Sequence, residues 1–483
     1  MQQIISLKGS LDEEQELGIK GIFPEECGLS AAVNIPFASE YAFKCASAQD
    51  HRGEKGVGIV SVRKSKFYIE KRRWSVILGL PGVNFKKDLP GKTAIVHNRY
   101  ATEGDSDSPS NVQPLVFQET SKGSFVLAHN GTMNNVRSIK KDLMKKGVAF
   151  QSTTDSEIMA HLITHSNEDT IEKAIISALN QITAAYSLLI LTPNKLFAIR
   201  DRFGIRPLSI GKLKSGFLVC SENYAFDQYP SSSYLREVEP GEIIVFEKNK
   251  DSFESIKYAE PDEHFCIFEG IYFSHPRTTY KEYYNEDFRQ ELGKQILIEN
   301  PDLQGDFILP VLDSGKHAAI GLFKKSRIDY KEYFLRKHKT SGDPVSRSFT
   351  SATYQERKEV AFKKLHLRKD KIRGKSVVVV DDSIVRSTTM KIACERLRNA
   401  GASYITVCIS APPIVSICPN GMAYRTRKQL TAYNRTTEDV RKTIGADRLI
   451  YLSLKGLKDV VGKTYKCGIC TGCFGGKYPV IPR

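Results

Sequence analysis

The stretch Val377-Val-Val-Val-Asp-Asp-Ser-Ile-Val-Arg-Ser-Thr-Thr389 constrains the fold more than any other part of the sequence. Its run of valines has no polar residue at either alternating position, which suits a strand buried on both faces of a parallel sheet. The run ends on two carboxylates, Asp381 and Asp382. A short loop follows with Ser383, Arg386, Ser387, Thr388 and Thr389, and then a helix predicted over Thr389–Ala400. In open α/β sheets, ligands bind beyond the carboxyl ends of the strands. Hydroxyls and unpaired backbone N–H groups at a helix N-terminus make a phosphate site. The acidic pair suits ribose hydroxyls or a magnesium ion. The plain alternative is a helix-capping loop with aspartates as turn residues.

The rest of the second half repeats the pattern. Strands are predicted at Phe307–Leu312, Ser376–Val380 and Tyr404–Ser410, and a further helix at His317–Ser326. This alternation argues a parallel α/β sheet. The first half reads differently, with short strands around Ala94–Val96, Phe125–Ala128 and Ser187–Leu191, and helical spacing at Ser156–His165 and Ile171–Ile182. Between them, Phe246–Pro261 is rich in Lys, Glu and Asp and reads as a linker. At 483 residues the chain has room for two or three domains.

Residues 1–26 form an acidic leader, and Cys27-Gly28 follows it. A lone cysteine is more often a small buried hydrophobe than a nucleophile. Downstream lie His51-Arg52-Gly53, Asn98-Arg99-Tyr100-Ala101-Thr102, Ala128-His129-Asn130-Gly131 and Thr154-Asp155-Ser156-Glu157. In this order they resemble the glutaminase domain of class II glutamine amidotransferases, which are hydrolases with an N-terminal nucleophile. The chemistry agrees: amide hydrolysis by a thiol needs a base, and removal of residues 1–26 would give Cys27 an α-amine to serve as one. The resemblance implies Cys27 as nucleophile, with Asn130 and the Gly131 N–H as oxyanion hole. It further implies Arg52, Arg99, Thr102 and Asp155 as glutamine-binding residues.

The valine strand and its loop resemble the phosphoribosyl pyrophosphate (PRPP) signature of type I phosphoribosyltransferases. Together the halves resemble the glutamine PRPP amidotransferases over nearly everything from Cys27 to Pro482. Further matching segments are Arg200–Leu208, Arg236–Gly241, Cys266–Glu269, Pro310–Gly315 and Ile444–Asp447. The implied fold is an αββα sandwich over 27–255 followed by a parallel-sheet phosphoribosyltransferase domain over 265–483, an α+β unit and an α/β unit. The implied reaction takes ammonia from glutamine and places it on PRPP, giving 5-phosphoribosylamine, glutamate and pyrophosphate, the entry step of purine synthesis. PRPP would be held by Asp381, Asp382, Ser383, Arg386, Ser387, Thr388, Thr389 and Arg347, with Mg²⁺ near Ser314, Asp381 and Asp382. The family usually has glycine where this chain has Ser387, and a side chain there is expected to crowd the phosphate loop. The basic stretch Arg336–Ser346 is longer than in the family and contains an acid. Purine nucleotides are the expected inhibitors and a homo-oligomer, a tetramer in the family pattern, the expected assembly.

Cys467, Cys470 and Cys473 sit at three-residue spacing, which suggests a metal or an iron–sulfur cluster. Cys470-Thr-Gly-Cys473 resembles the C-terminal motif of the iron–sulfur branch of the family, which draws its other ligands from segments matching Cys266 and Cys418. Four thiolates suit a [4Fe–4S] cluster, and zinc in a Cys₄ site is the chemical rival. Cys467 is then an extra thiol nearby.

Composition narrows the remaining classes. No signal peptide or run of 18 uncharged apolar residues is present, so the cytoplasm is expected and a membrane partner is not. The formal charge of +16 favours anionic ligands, but the basic residues are scattered and no nucleic-acid module is recognisable, which leaves a small phosphorylated substrate. Two rivals stay open: a class II amidotransferase acting on another acceptor, and a non-catalytic paralogue that senses nucleotides.

Overall fold

The computed structural model describes residues 27–100, 108–335, 366–421 and 426–480. The leader 1–26, Thr102 and Arg347 lie outside the described residues.

The first half is built on two antiparallel sheets. One contains β1 (Gly28–Val33), β2 (Gly56–Arg63), β3 (Lys66–Arg72), β4 (Thr93–Arg99), β9 (Ser209–Lys212), β10 (Phe217–Cys220) and β11 (Ser233–Glu237), in the order β11-β9-β10-β1-β4-β2-β3. The other contains β5 (Leu115–Phe117), β6 (Phe125–Met133), β7 (Ala184–Leu191), β8 (Lys195–Arg200), β12 (Glu242–Glu247) and β13 (Phe253–Lys257), in the order β13-β12-β8-β7-β6-β5. Leu29, Ala31 and Val33 of β1 alternate with Ser30 and Ala32, so the first set faces Val126, Ala128, Leu189 and Leu191 of the opposite sheet. Each outer face is covered by helices: α1 (Ala38–Ala48) on the first sheet, α2 (Ser156–Thr164) and α3 (Ile171–Asn180) on the second. The result is the αββα sandwich.

Phe246–Pro261 is not a linker. Glu242–Glu247 and Phe253–Lys257 pair antiparallel at the edge of the second sheet. The charged composition reflects an edge strand whose outer face meets solvent, where charges discourage pairing with another chain.

The second half holds a five-stranded parallel sheet. Its order is Asp329–Tyr330, Phe307–Pro310, Ser376–Asp381, Tyr404–Ile409, Arg448–Tyr451. Val378 and Val380 face one apolar core with Phe288, Leu292 and Leu457; Val377 and Val379 face the other with Ile392 and Leu397. All four valines are fully buried, which explains why this strand reads as continuous hydrophobe. Burying each such side chain is worth about 1.5–3 kcal/mol.

The halves interlock. Phe265 and Cys266 pair in parallel with Ile469 and Cys470, joining the start of the second half to its end. Glu269–Phe273 forms a single π-helical turn against the sandwich, placing Phe273 beside Cys27 and Tyr100.

Candidate active sites

Cys27 precedes β1 by one residue. Gly28 pairs with Asn98, so continuing the register brings Cys27 level with Arg99. Cys27 is fully buried against Tyr100 and Phe273. Gly53 makes this arrangement possible: a Cβ there would stand 2.5 Å from the Asn98 carbonyl carbon. Asn98 Nδ2 donates to the carbonyls of Ala46 (2.8 Å) and Gln49 (3.2 Å), tying β4 to the end of α1.

Asn130 and Gly131 lie on β6, opposite Ser187 and Tyr186 of β7. Both side-chain polar atoms of Asn130 are buried without a hydrogen-bond partner among the described residues. Leaving such an amide unsatisfied costs about 1–3 kcal/mol. A buried amide in that state is open to a water or a polar ligand group. Gly131 has φ +150°, and a Cβ there would lie 2.0 Å from the Ala185 carbonyl oxygen, so only glycine fits.

Behind this pair runs a hydrogen-bonded network. His97 Nε2 meets the His129 carbonyl at 3.0 Å across the two sheets. The His129 N–H donates to Gln113 Oε1 (2.7 Å), and Gln113 Nε2 donates to Ser156 Oγ (3.0 Å). His129 Nδ1 lies 3.0 Å from Ser156 Oγ and 3.5 Å from Asp155 Oδ1, while Asp155 Oδ2 accepts the Met133 N–H at 2.9 Å. Burial lowers the His97 pKa to about 3, so it is neutral and, donating through Nε2, fixes one tautomer. The network ties Asp155 to the end of β6 through the Met133 N–H.

Arg52 sits among protein carboxylates. Its guanidinium donates to Glu222 Oε1 (2.6 Å) and to both Glu269 oxygens (3.0 and 2.8 Å), and its Nε to the Cys27 carbonyl (3.2 Å). It is fully buried and lies 4.7 Å from the centre of the Phe273 ring. These bonds to Glu222, Glu269 and the Cys27 carbonyl make it a clamp around Cys27. Burial pushes the Glu222 carboxyl up, but His51 and Arg52 more than reverse this and hold it well below its usual range. Glu222 and Glu269 were not singled out as site residues in the sequence; Glu269 stood in a matching segment, while nothing local marks Glu222. Arg99 is buried on β4 beside Cys27.

The second centre lies at the carboxyl end of the central parallel strand. Ser314 Oγ donates to Asp381 Oδ1 at 2.6 Å, and Ser383 Oγ to Asp382 Oδ2 at 2.7 Å. Burial, and then the neighbouring Asp382, raise the Asp381 pKa well above the usual carboxylate range. Burial also raises that of Asp382. Two buried carboxylates side by side are a poor arrangement for the free protein and a good one for a cation or sugar hydroxyls. Gly315 lets the Ser314 loop approach, since a Cβ would lie 2.1 Å from the Val380 carbonyl oxygen. Ser387 caps the helix Thr388–Asn399 with φ +53°, the left-handed region. That explains the glycine expected here: serine adopts the same turn at a cost of roughly 1–2 kcal/mol. Arg386 Nη2 donates to Gln429 at 3.0 Å, and Thr388 Oγ to the Arg386 carbonyl at 3.4 Å. Thr389 follows within the first turn.

Arg289, also missed in the sequence, lies on the helix Asn285–Glu299 and is buried. It donates to the Gly270 and Ser274 carbonyls (2.8 and 2.6 Å), and its charge favours the ionised form of Asp382.

The cysteines converge from three segments. Cys266 and Cys470 are register partners, and the Cys473 carbonyl accepts the N–H groups of Val415 and Ser416, which draws in the Cys418 segment. Tyr478 lies within electrostatic reach of Cys266, Cys418, Cys470 and Cys473 together. Cys467 instead has Glu263 and Lys281 as neighbours. The donor set therefore fits a thiolate-bound group in its composition and convergence. As the side chains stand, no three His, Cys, Asp or Glu among the described residues are set at metal-ligating positions.

Comparison with known proteins supports the two-centre reading. A glutamine amidotransferase domain family model matches residues 97–228. Amidophosphoribosyltransferase of Bacillus subtilis is 36% identical over 465 residues, covering 95% of both chains. That of Methanothermobacter thermautotrophicus is 32% identical, covering 98% of this chain and 96% of its own. The solved glutamine PRPP amidotransferase of B. subtilis, complexed with ADP and GMP, superposes with a TM-score of 0.85 at 34% identity, covering 95% of this chain and 98% of that one. A structure described as the allosteric regulatory enzyme of purine biosynthesis gives a TM-score of 0.86 at 34% identity, covering 95% and 97%.

Proposed function

The chain belongs to the amidophosphoribosyltransferases, the enzymes of the first step of purine biosynthesis, and we propose that it works through Cys27 in the sandwich and the Asp381–Asp382 pair at the parallel sheet. The observation behind this assignment is the unsatisfied buried amide of Asn130, which by strand alternation faces the space between the sheets, as does the position of Cys27 two residues before Leu29.

In this reading residues 1–26 are removed, and the freed α-amine of Cys27 takes the thiol proton as sulfur attacks the glutamine side-chain carbonyl. Asn130 Nδ2 and the Gly131 N–H stabilise the oxyanion, each such donor contributing about 3 kcal/mol. The α-amine passes its proton to the departing ammonia, and water then releases glutamate from the thioester. Arg99 and Asp155 bind the glutamine α-carboxylate and α-ammonium; Thr102 completes the set. Arg52 is a positioning residue, holding the Cys27 carbonyl against Glu222 and Glu269.

Ammonia then attacks the anomeric carbon of PRPP and pyrophosphate leaves. Asp381 and Asp382 bind the ribose hydroxyls, the Ser383–Thr389 loop the 5-phosphate, and Arg347 the pyrophosphate. Magnesium, held near Ser314 and this pair, would neutralise pyrophosphate charge. Cys266, Cys418, Cys470 and Cys473 would bind a [4Fe–4S] cluster whose role is structural, tying the ends of the second half together. The domain limits 27–255 and 265–483, a cytoplasmic homotetramer and inhibition by purine nucleotides complete the proposal. Among the described residues no helix is long and apolar enough to cross a membrane.

The test is pyrophosphate release by anaerobically purified protein. Release that requires both glutamine and PRPP supports the assignment; PRPP-independent or absent release, from protein beginning at Cys27 by intact mass, contradicts it.

A further inference from the structure

The end of the sandwich remote from Cys27 holds a second cavity that the reaction does not use. β1 runs from Gly28, beside Cys27, to Val33, and β4 runs back from Thr93 to Arg99. At about 3.3 Å per residue, each strand separates the cavity from the glutamine site by roughly 20 Å. The cavity measures about 450 Å³, within the roughly 300–1,000 Å³ typical of small-molecule sites.

Its walls and rim have opposite character. Val33, Val62, Leu191, Leu196 and Phe246 are buried side chains that line it from both sheets. Around them stand Arg63, Lys64, Lys86, Lys92 and Lys248. A sixth cation, Lys195, is neutralised by Glu172 (2.8 Å) and Glu247 (3.6 Å), so the rim's excess positive charge comes from the other five. Among the described residues no carboxylate lines the cavity.

Phe37 adds a second, independent observation. It lines the mouth with φ +58° and ψ 40°, and is 46% exposed with Lys86 Nζ 4.8 Å from its ring centre. An aromatic side chain is a marked outlier in the left-handed region, and backbone strain of this kind concentrates at ligand-binding positions. The strain here presents an apolar ring and a cation side by side at the opening.

We propose that this cavity binds an amphipathic anion: an apolar chain or ring, the size of a medium-chain fatty acid, carrying one terminal carboxylate or phosphate. The apolar part enters between the sheets and the anionic head meets the lysines.

Calorimetric titration of the full chain with dodecanoate, dodecyl phosphate, dodecanol and inorganic phosphate tests this. Saturable binding of one equivalent of either amphipathic anion supports the site, and the tighter of the two identifies the head group. Lys92→Glu with Lys248→Glu is expected to weaken that binding at least about tenfold, equivalent to about 1.4 kcal/mol, with glutamine-dependent turnover unchanged. Phe37→Gly relieves the backbone strain, so it should preserve thermal stability while also weakening binding. Equal binding of dodecanol, equal binding of phosphate alone, no saturable binding, or binding indifferent to these variants would overturn the proposal.

Discussion

Arg52 and Glu269, 217 residues apart in sequence, meet through two hydrogen bonds of 3.0 and 2.8 Å in the buried seam between the sandwich and the parallel-sheet half. Arg206 adds a third contact to Glu269 at 3.3 Å, and Ser274 Oγ donates to it at 2.7 Å. The seam therefore rests on one carboxylate facing two guanidinium groups, with the Cys27 carbonyl on the far side of Arg52.

Glu269→Gln should destabilise the protein by about 3 kcal/mol, because the buried Arg206 loses its contact with a carboxylate and Arg52 keeps only Glu222. Urea unfolding measures this. Since Arg52 also anchors Cys27, glutamine-dependent turnover should fall further than ammonia-dependent turnover in the same variant. Equal loss of both would leave Arg52 a purely structural residue.

Asp381→Asn should trade function for stability. The folded-state pKa of Asp381 is raised by burial and by Asp382. The ionised form thus costs stability as pH rises through that raised value, and an uncharged amide removes the cost. Losing charge-assisted bonds of about 1.5–3 kcal/mol each should weaken PRPP use by about two orders of magnitude or more. A thermal melt at neutral pH with a raised midpoint, beside collapsed PRPP-dependent turnover, is the expected pair of results. Unchanged PRPP affinity would refute the assignment.

His97 should make the sandwich acid-sensitive. Its folded pKa is about 3 against the ordinary histidine value of 6.5, so the unfolded chain takes up a proton first. Stability is fully present above pH 6.5 and declines as pH falls toward 3, at about 1.4 kcal/mol per pH unit in the middle of that window. His97→Gln retains a donor for the His129 carbonyl and should flatten the decline. Melts at pH 7, 6 and 5 compare the slopes; identical slopes would place the acid sensitivity elsewhere.

Anaerobically prepared protein should be brown and carry about four irons and four sulfides per chain. Cys473→Ser should lose the iron and much of the stability, whereas Cys467→Ser should be mild, because Cys467 neighbours Glu263 and Lys281 instead of the other thiols. Stoichiometric zinc without iron would replace the cluster with a Cys₄ zinc site.

Local patterns carried much of the fold into the sequence. The valine strand announced a buried parallel sheet, and it is the centre of one. Asp381 and Asp382 were legible because strand, acidic pair and capped helix are contiguous. The sandwich strands were shorter in prediction than in fact because turn residues such as His129 and Asn130 continue β6 to Met133. The edge hairpin ending at Lys257 looked like a linker because its exposed face is charged. The ion pairs of Arg52 were not legible, because its partners Glu222 and Glu269 lie 170 and 217 residues away and no local spacing encodes such pairing. Arg289 is an ordinary helix arginine until the fold sets it between the Ser274 carbonyl and Asp382.

The central claim is that one chain runs two separable chemistries, and Cys27→Ala tests it most directly. Pyrophosphate release from PRPP is measured with glutamine and, separately, with ammonium chloride. Glutamine-dependent release should fall by about four orders of magnitude or more, as expected for loss of a nucleophile. Ammonia-dependent release should stay within about threefold of the unsubstituted protein, because the two sites share no reacting group. Equal loss of both activities in a folded variant, or full retention of glutamine use, would contradict it.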